Sequence, residues 1–101
     1  MTVTDWRNMK EKTIEQKIIR AVKSRDGECY KWTGHAGVPD RIAMLPGGKI
    51  GFIEVKAPGE RPRPLQLSRH RRIRSLGFKV YVIDRIDQIE SVLDEIGGGH
   101  A

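Results

Sequence analysis

Three residues near the middle of the chain could do chemistry together: Asp40, Glu54 and Lys56. Arg41 to Leu45 is apolar enough for a strand, Lys49 to Lys56 reads as a second, and Pro46-Gly47-Gly48 between them is a turn signal. If those three residues form the hairpin loop, Leu45 faces Lys49, and counting outward puts Asp40 opposite Glu54. Directly opposed side chains lie about 4.5–5.5 Å apart at Cβ, and like charges there repel. A bound divalent cation resolves the conflict, and oxygen-only ligands favour Mg²⁺ or Mn²⁺. Strand alternation puts Lys56 on the same face as Glu54. Val55 points the other way, with its carbonyl in the strand plane as a further donor. A lysine so placed can orient a water or offset charge developing on a phosphate. The plainer reading of a Glu-x-Lys alone is a cross-strand ion pair.

A third carboxylate comes from the first helical signal, about Thr13 to Ser24. Thr13 followed by Gln16 fits a capping box. Ile14, Ile18, Ile19 and Val22 recur at helical spacing on one face, and Glu15 projects into that stripe. Lys17, Arg20 and Lys23 point the other way. A carboxylate on a buried face is costly unless something pairs with it.

These residues need elements to position them. Cys29 to Thr33 alternates weakly and reads as a short strand, and Gly34 to Pro39 as a loop. A helix should begin near Pro64 and stop near Leu76 before Gly77, with Leu65, Ile73 and Leu76 inward. Phe78 to Asp84 is the strongest strand. Ile89, Val92, Leu93 and Ile96 give an amphipathic last helix ending at Gly97. The order α-β-β-β-α-β-α predicts an α/β fold, a mixed sheet flanked by helices, with a crossover from the third strand to the fourth. A chain of 101 residues is one domain, with 1–10 and 97–101 as loose ends.

The formal net charge is +6, from 19 Lys+Arg against 13 Asp+Glu. The stretch from Arg61 to Arg74 holds Arg61, Arg63, Arg69, Arg71, Arg72 and Arg74 and no acid. Without those six, 13 basic residues face 13 acidic ones, so the whole excess lies there. Arginine pairs with phosphate in a planar fork that lysine cannot form. The stretch therefore reads as a phosphate-contacting surface. No run is apolar enough to span a bilayer, and the first residues carry no signal-peptide core. A single cysteine, Cys29, excludes an internal disulfide and a Cys-based zinc site. A reducing cytoplasm is the expected compartment, that of a bacterial host if the source is viral.

Taken together, Gly37-Val38-Pro39-Asp40-Arg41-Ile42, Leu45-Pro46-Gly47-Gly48, Phe52-Ile53-Glu54-Val55-Lys56-Ala57-Pro58-Gly59 and Gln66 resemble the VRR-NUC domain of the PD-(D/E)XK nuclease superfamily. The bare Asp…Glu-x-Lys pattern is weak, but combined with the other boxes and the element order it is specific. The resemblance covers about Glu15 to Ile83 and implies a restriction-endonuclease-like core. It implies that Asp40, Glu54 and the Val55 carbonyl hold Mg²⁺, or Mn²⁺ in its place, with Glu15 reaching the ion or its waters. Lys56 would position the attacking water or stabilise the transition state, and Gln66 would support the site or a phosphate. The implied reaction is metal-dependent hydrolysis of a DNA phosphodiester. Family members cut branched DNA, and small stand-alone ones act as homodimers, which implies a Holliday-junction resolvase with paired sites. No small-molecule cofactor and no membrane are implied. The alternatives are a restriction-like, flap-cutting or exonucleolytic relative, or a non-catalytic basic DNA-binding module. An RNA-binding protein is a remote third.

Other residues carry less. His35 and His70 are not assigned as ligands, although His70 lies one turn after Gln66 and shares its face. Cys29, Tyr30 and Trp32 read as core. Trp6 stays unassigned, with a dimer contact as one use.

Overall fold

A computed structural model describes residues 3–98. Its elements run α1 (Val3–Ser24), β1 (Glu28–Lys31), β2 (Arg41–Leu45), β3 (Lys49–Val55), α2 (Pro64–Ser75), β4 (Lys79–Ile83), a 3-10 turn at Ile86–Gln88 and α3 (Ile89–Ile96). The strands form one mixed sheet in the order β1-β2-β3-β4. The first three are antiparallel and β4 runs parallel to β3, as the crossover requires. The predicted element order is the observed one.

Helix α1 is longer than its sequence signal. No Gly or Pro interrupts Val3 to Ser24, so nothing stops the helix at Thr13. The Thr13–Gln16 pair lies inside it and caps nothing. The side chain of Trp6 and residues 1–2 and 99–101 lie outside the described residues. Ile14, Ile18 and Val22 are buried, and together with Ile89, Val92, Leu93 and Ile96 of α3 they cover one sheet face at Ala43, Leu45, Ile53, Val55 and Ile83. Gly51 is required here: a Cβ on it would sit 2.5 Å from the Ile96 side chain. Strand β3, central and parallel to β4, is buried from Gly51 to Val55.

The β2–β3 turn is the predicted three-residue loop, with Leu45 paired to Lys49. Gly47 and Gly48 both have positive φ, 87° and 75°, which only glycine adopts cheaply. Strand β1 covers Glu28–Lys31 rather than Cys29 to Thr33.

The opposite sheet face is covered only in part, by α2. The predicted inner face of this helix is corrected. Leu65 and Leu76 are 48% and 57% exposed, Ile73 is half-buried, and the residue α2 buries is His70. The helix rests over the polar end of β3, so its inward turn carries Gln66 and His70 instead of leucines. Leu65 covers Gly37 of the preceding loop, where a Cβ would lie 2.8 Å from Leu65 Cγ. Tyr30 is 53% exposed and is not core, while Trp32 is half-buried against Phe52 with ring centroids 5.0 Å apart. Phe78 meets Phe52 edge-on at 5.8 Å.

Candidate active site

The hairpin register carries the site. Arg41 pairs with Ile53, so Asp40, one residue beyond the strand, comes level with Glu54. The Asp40 carboxylate accepts the Val55 N–H at 2.8 Å, and its carbonyl accepts the Trp32 N–H at 2.9 Å. Asp40 is thereby tied to both β1 and β3. Lys56 follows on the same face as Glu54, its backbone N–H held by the Ile83 carbonyl at 2.9 Å.

Glu54 is the buried end of this arrangement, at 1% exposure. Its Oε2 accepts a hydrogen bond from Gln66 Nε2 at 3.0 Å and lies 3.8 Å from Lys56 Nζ. Its Oε1 lies 3.2 Å from His70 Nε2. Gln66 is oriented from its other side, because its Oε1 accepts the Arg63 N–H at 2.8 Å and caps α2. With the oxygen so engaged, the amide NH₂ must face Glu54.

Electrostatics mark the same point. Burial, the charge of Asp40 and a hydrogen bond shared with Asp40 push the Glu54 carboxyl up to about 8, with Lys56 acting in the opposite direction. Burial and then Arg74 push His70 down. Burial and Asp40 also raise Glu11, with Glu60 and Glu15 adding to it.

Glu11 is a further carboxylate, acted on by the charge of Asp40, that the sequence reading did not single out. It stands three, seven and eleven positions before Ile14, Ile18 and Val22, on the same stripe of α1. Starting the helix at Thr13 left it out. Glu15, one turn later, makes a part-buried ion pair with Arg41 at 2.9 Å.

The arginines divide. Arg69 Nε donates to the Ala36 carbonyl at 3.1 Å and holds the loop before Asp40. Arg74 donates to the Val80 carbonyl at 2.7 Å. Arg61, Arg63, Arg71 and Arg72 are exposed. Between the loop and the start of α2 lies a depression of about 200 Å³ lined by Ala36, Gly37, Arg63, Leu65 and Gln66. His35 is exposed. Cys29 is half-buried, and burial pushes its thiol up, against any role as a nucleophile.

No family model matches the chain. A phage protein does: "Putative nuclease p44" of Acyrthosiphon pisum secondary endosymbiont phage 1 is 44% identical over 92 residues, which cover 89% of this chain and 98% of that protein. A solved structure described as "VRR_NUC domain" superposes with a TM-score of 0.78 at 30% identity, covering 84% of this chain and 95% of the other. This chain belongs to the VRR-NUC nucleases. In this VRR-NUC domain the carboxylates stand where a hairpin and a crossover helix meet. Among the described residues no three His, Cys, Asp or Glu side chains form a ready cage for a metal. Two facing carboxylates nonetheless suit Mg²⁺, which keeps several waters and takes one or two carboxylates beside phosphate oxygens.

Proposed function

We propose that this nuclease is a divalent-metal-dependent endonuclease for branched DNA, acting as a homodimeric Holliday-junction resolvase. The observation that carries the chemistry is Glu54, buried at 1% exposure with Asp40 set against it. Asp40, Glu54 and the Val55 carbonyl would hold Mg²⁺, with Mn²⁺ able to replace it. Once bound, the ion supplies Lewis-acid polarisation of a phosphate and a more acidic water. Lys56 brings a cation to the same carboxylate face, where it can steady the attacking water or offset charge on the phosphate. Gln66 orients Glu54 through its amide. For the carboxylate supplied by α1 we favour Glu11, which burial and the charge of Asp40 raise, over Glu15, which Arg41 already neutralises. The exposed arginines of the Arg61–Arg74 stretch would carry DNA phosphates past the site.

One observation supports a dimer that resolves junctions: the α2 face of the sheet is left open over β1 and β2, where Tyr30 and Met44 are 53% and 37% exposed. The test is cleavage of a four-way junction, a flap and a linear duplex in Mg²⁺ and in EDTA, with light scattering. Paired, symmetric nicks on the junction, Mg²⁺ dependence and a dimeric mass are expected. Asp40→Asn should lose at least about a hundredfold in rate while still binding the junction. Cleavage in EDTA, or an Asp40→Asn enzyme with full activity, would overturn the site. A monomer that cuts flaps or linear duplex preferentially would overturn the substrate.

A further inference from the structure

His70 is more deeply buried than a polar residue on an arginine-rich helix should be. It has no exposed surface, and the ring nitrogen Nδ1 has no hydrogen-bond partner among the described residues. An unpartnered buried polar atom destabilises the fold, and a leucine at this position would avoid that cost. The other ring nitrogen shows what the histidine does. Nε2 lies 3.2 Å from Glu54 Oε1, and Glu54 is itself 1% exposed. When Glu54 holds a cation it is ionised and only accepts hydrogen bonds, so in that state Nε2 carries the proton and Nδ1 is left as a bare acceptor.

Gln66 and His70 stand one helical turn apart on α2, and with Glu54 ionised each donates to a different oxygen of the same carboxylate. One donor leaves a carboxylate free to swing about its last torsion, whereas two donors on separate oxygens fix its plane. Each oxygen retains a second lone pair. Both donors are also uncharged, so they orient Glu54 without cancelling the charge a cation needs. Lys56, at 3.8 Å, could not do this without competing.

We propose that His70 is a positioning residue: with Gln66 it sets the plane of the Glu54 carboxylate and so raises the affinity of the site for a divalent cation. This rests on the reading that Glu54 holds that cation. Partners that orient ligands from behind typically contribute about 10–100-fold in metal affinity.

The test compares His70→Gln, whose amide can reach the place of Nε2, with His70→Asn, whose shorter amide cannot, and with apolar His70→Leu. Metal affinity is read as the calorimetric Kd for Mn²⁺ and as the thermal-midpoint shift with added Mn²⁺, each against the protein in EDTA. His70→Asn and His70→Leu should lose about 10–100-fold in Mn²⁺ affinity, and His70→Gln should recover most of it. If His70→Leu fails to fold, the Gln–Asn contrast still decides. Wild-type affinity in His70→Asn, or equal losses in the Asn and Gln variants, would overturn the positioning role while leaving Glu54 as a ligand. A wild-type protein that neither binds nor is stabilised by Mn²⁺ would overturn both.

Discussion

Burying Glu54 against Asp40 gives the metal-free protein an uncommon pH dependence. A carboxyl group held at about 8 in the fold, against an ordinary value of 4.5, favours the folded state while it is protonated. That contribution is fully present below the ordinary value and is lost as pH rises through about 8. Glu11 is raised too and acts in the same direction. In EDTA the thermal midpoint should therefore fall between about pH 5 and pH 9, and Mg²⁺ should restore it at the alkaline end by favouring the ionised pair. A flat profile in EDTA would mean that the two carboxyl groups do not share the site. At this scale the sequence was informative where counting sufficed. A loop of fixed length made the facing of Asp40 and Glu54 legible. The burial of His70 was not, because Leu65, Ile73 and Leu76 suggested a different inner face, and two of those three are exposed.

Helix α1 offers two acids one turn apart, and the fold gives them different neighbours. Glu15 is paired with Arg41 at 2.9 Å, while the Glu11 carboxyl is raised by burial and by the charge of Asp40. Glu15→Gln should cost more than the roughly 1 kcal/mol of an exposed pair in denaturant stability, because its partner Arg41 is part-buried, and should leave divalent binding intact. Glu11→Gln should do the reverse, weakening Mn²⁺ binding with little loss of stability. The reverse outcome, read by calorimetry beside urea melts, would return the role to Glu15. The strands and α3 were readable from their apolar spacing, since each buries a plain face. The start of α1 was not readable. Thr13 and Gln16 mimic a cap, and only the absence of a breaker upstream betrays the longer helix. Gln66 was legible as a site residue but not as the cap of α2, since both uses draw on the same side-chain amide.

Across the whole molecule, one sheet face is sealed by α1 and α3 and the other is half open. The excess charge lies on the segment that covers the half with the site. Two of its arginines are already committed within the fold, Arg69 to Ala36 and Arg74 to Val80. Replacing those would damage the loop before Asp40 or the seating of α2, so the probes of DNA binding are Arg61 and Arg71. Changing both to Gln should lower the slope of log affinity against log salt by about 0.9 for each phosphate no longer neutralised, with melting unchanged. An unchanged slope would place the DNA elsewhere. Charge totals alone pointed to a polyanion. They could not tell the arginines that hold the fold from those free to meet a partner, because that depends on which carbonyls lie within reach.

The Pro46-Gly47-Gly48 turn stands five pairs from the carboxylates, about 17 Å away along the strands. It touches none of them, yet it works as a ruler for the site. A slip of one residue in the pairing it joins would bring Asp40 level with a side chain pointing to the other face. Every ligand would still be present in the sequence and none would be in place. Mutational scans read one residue at a time would miss this dependence.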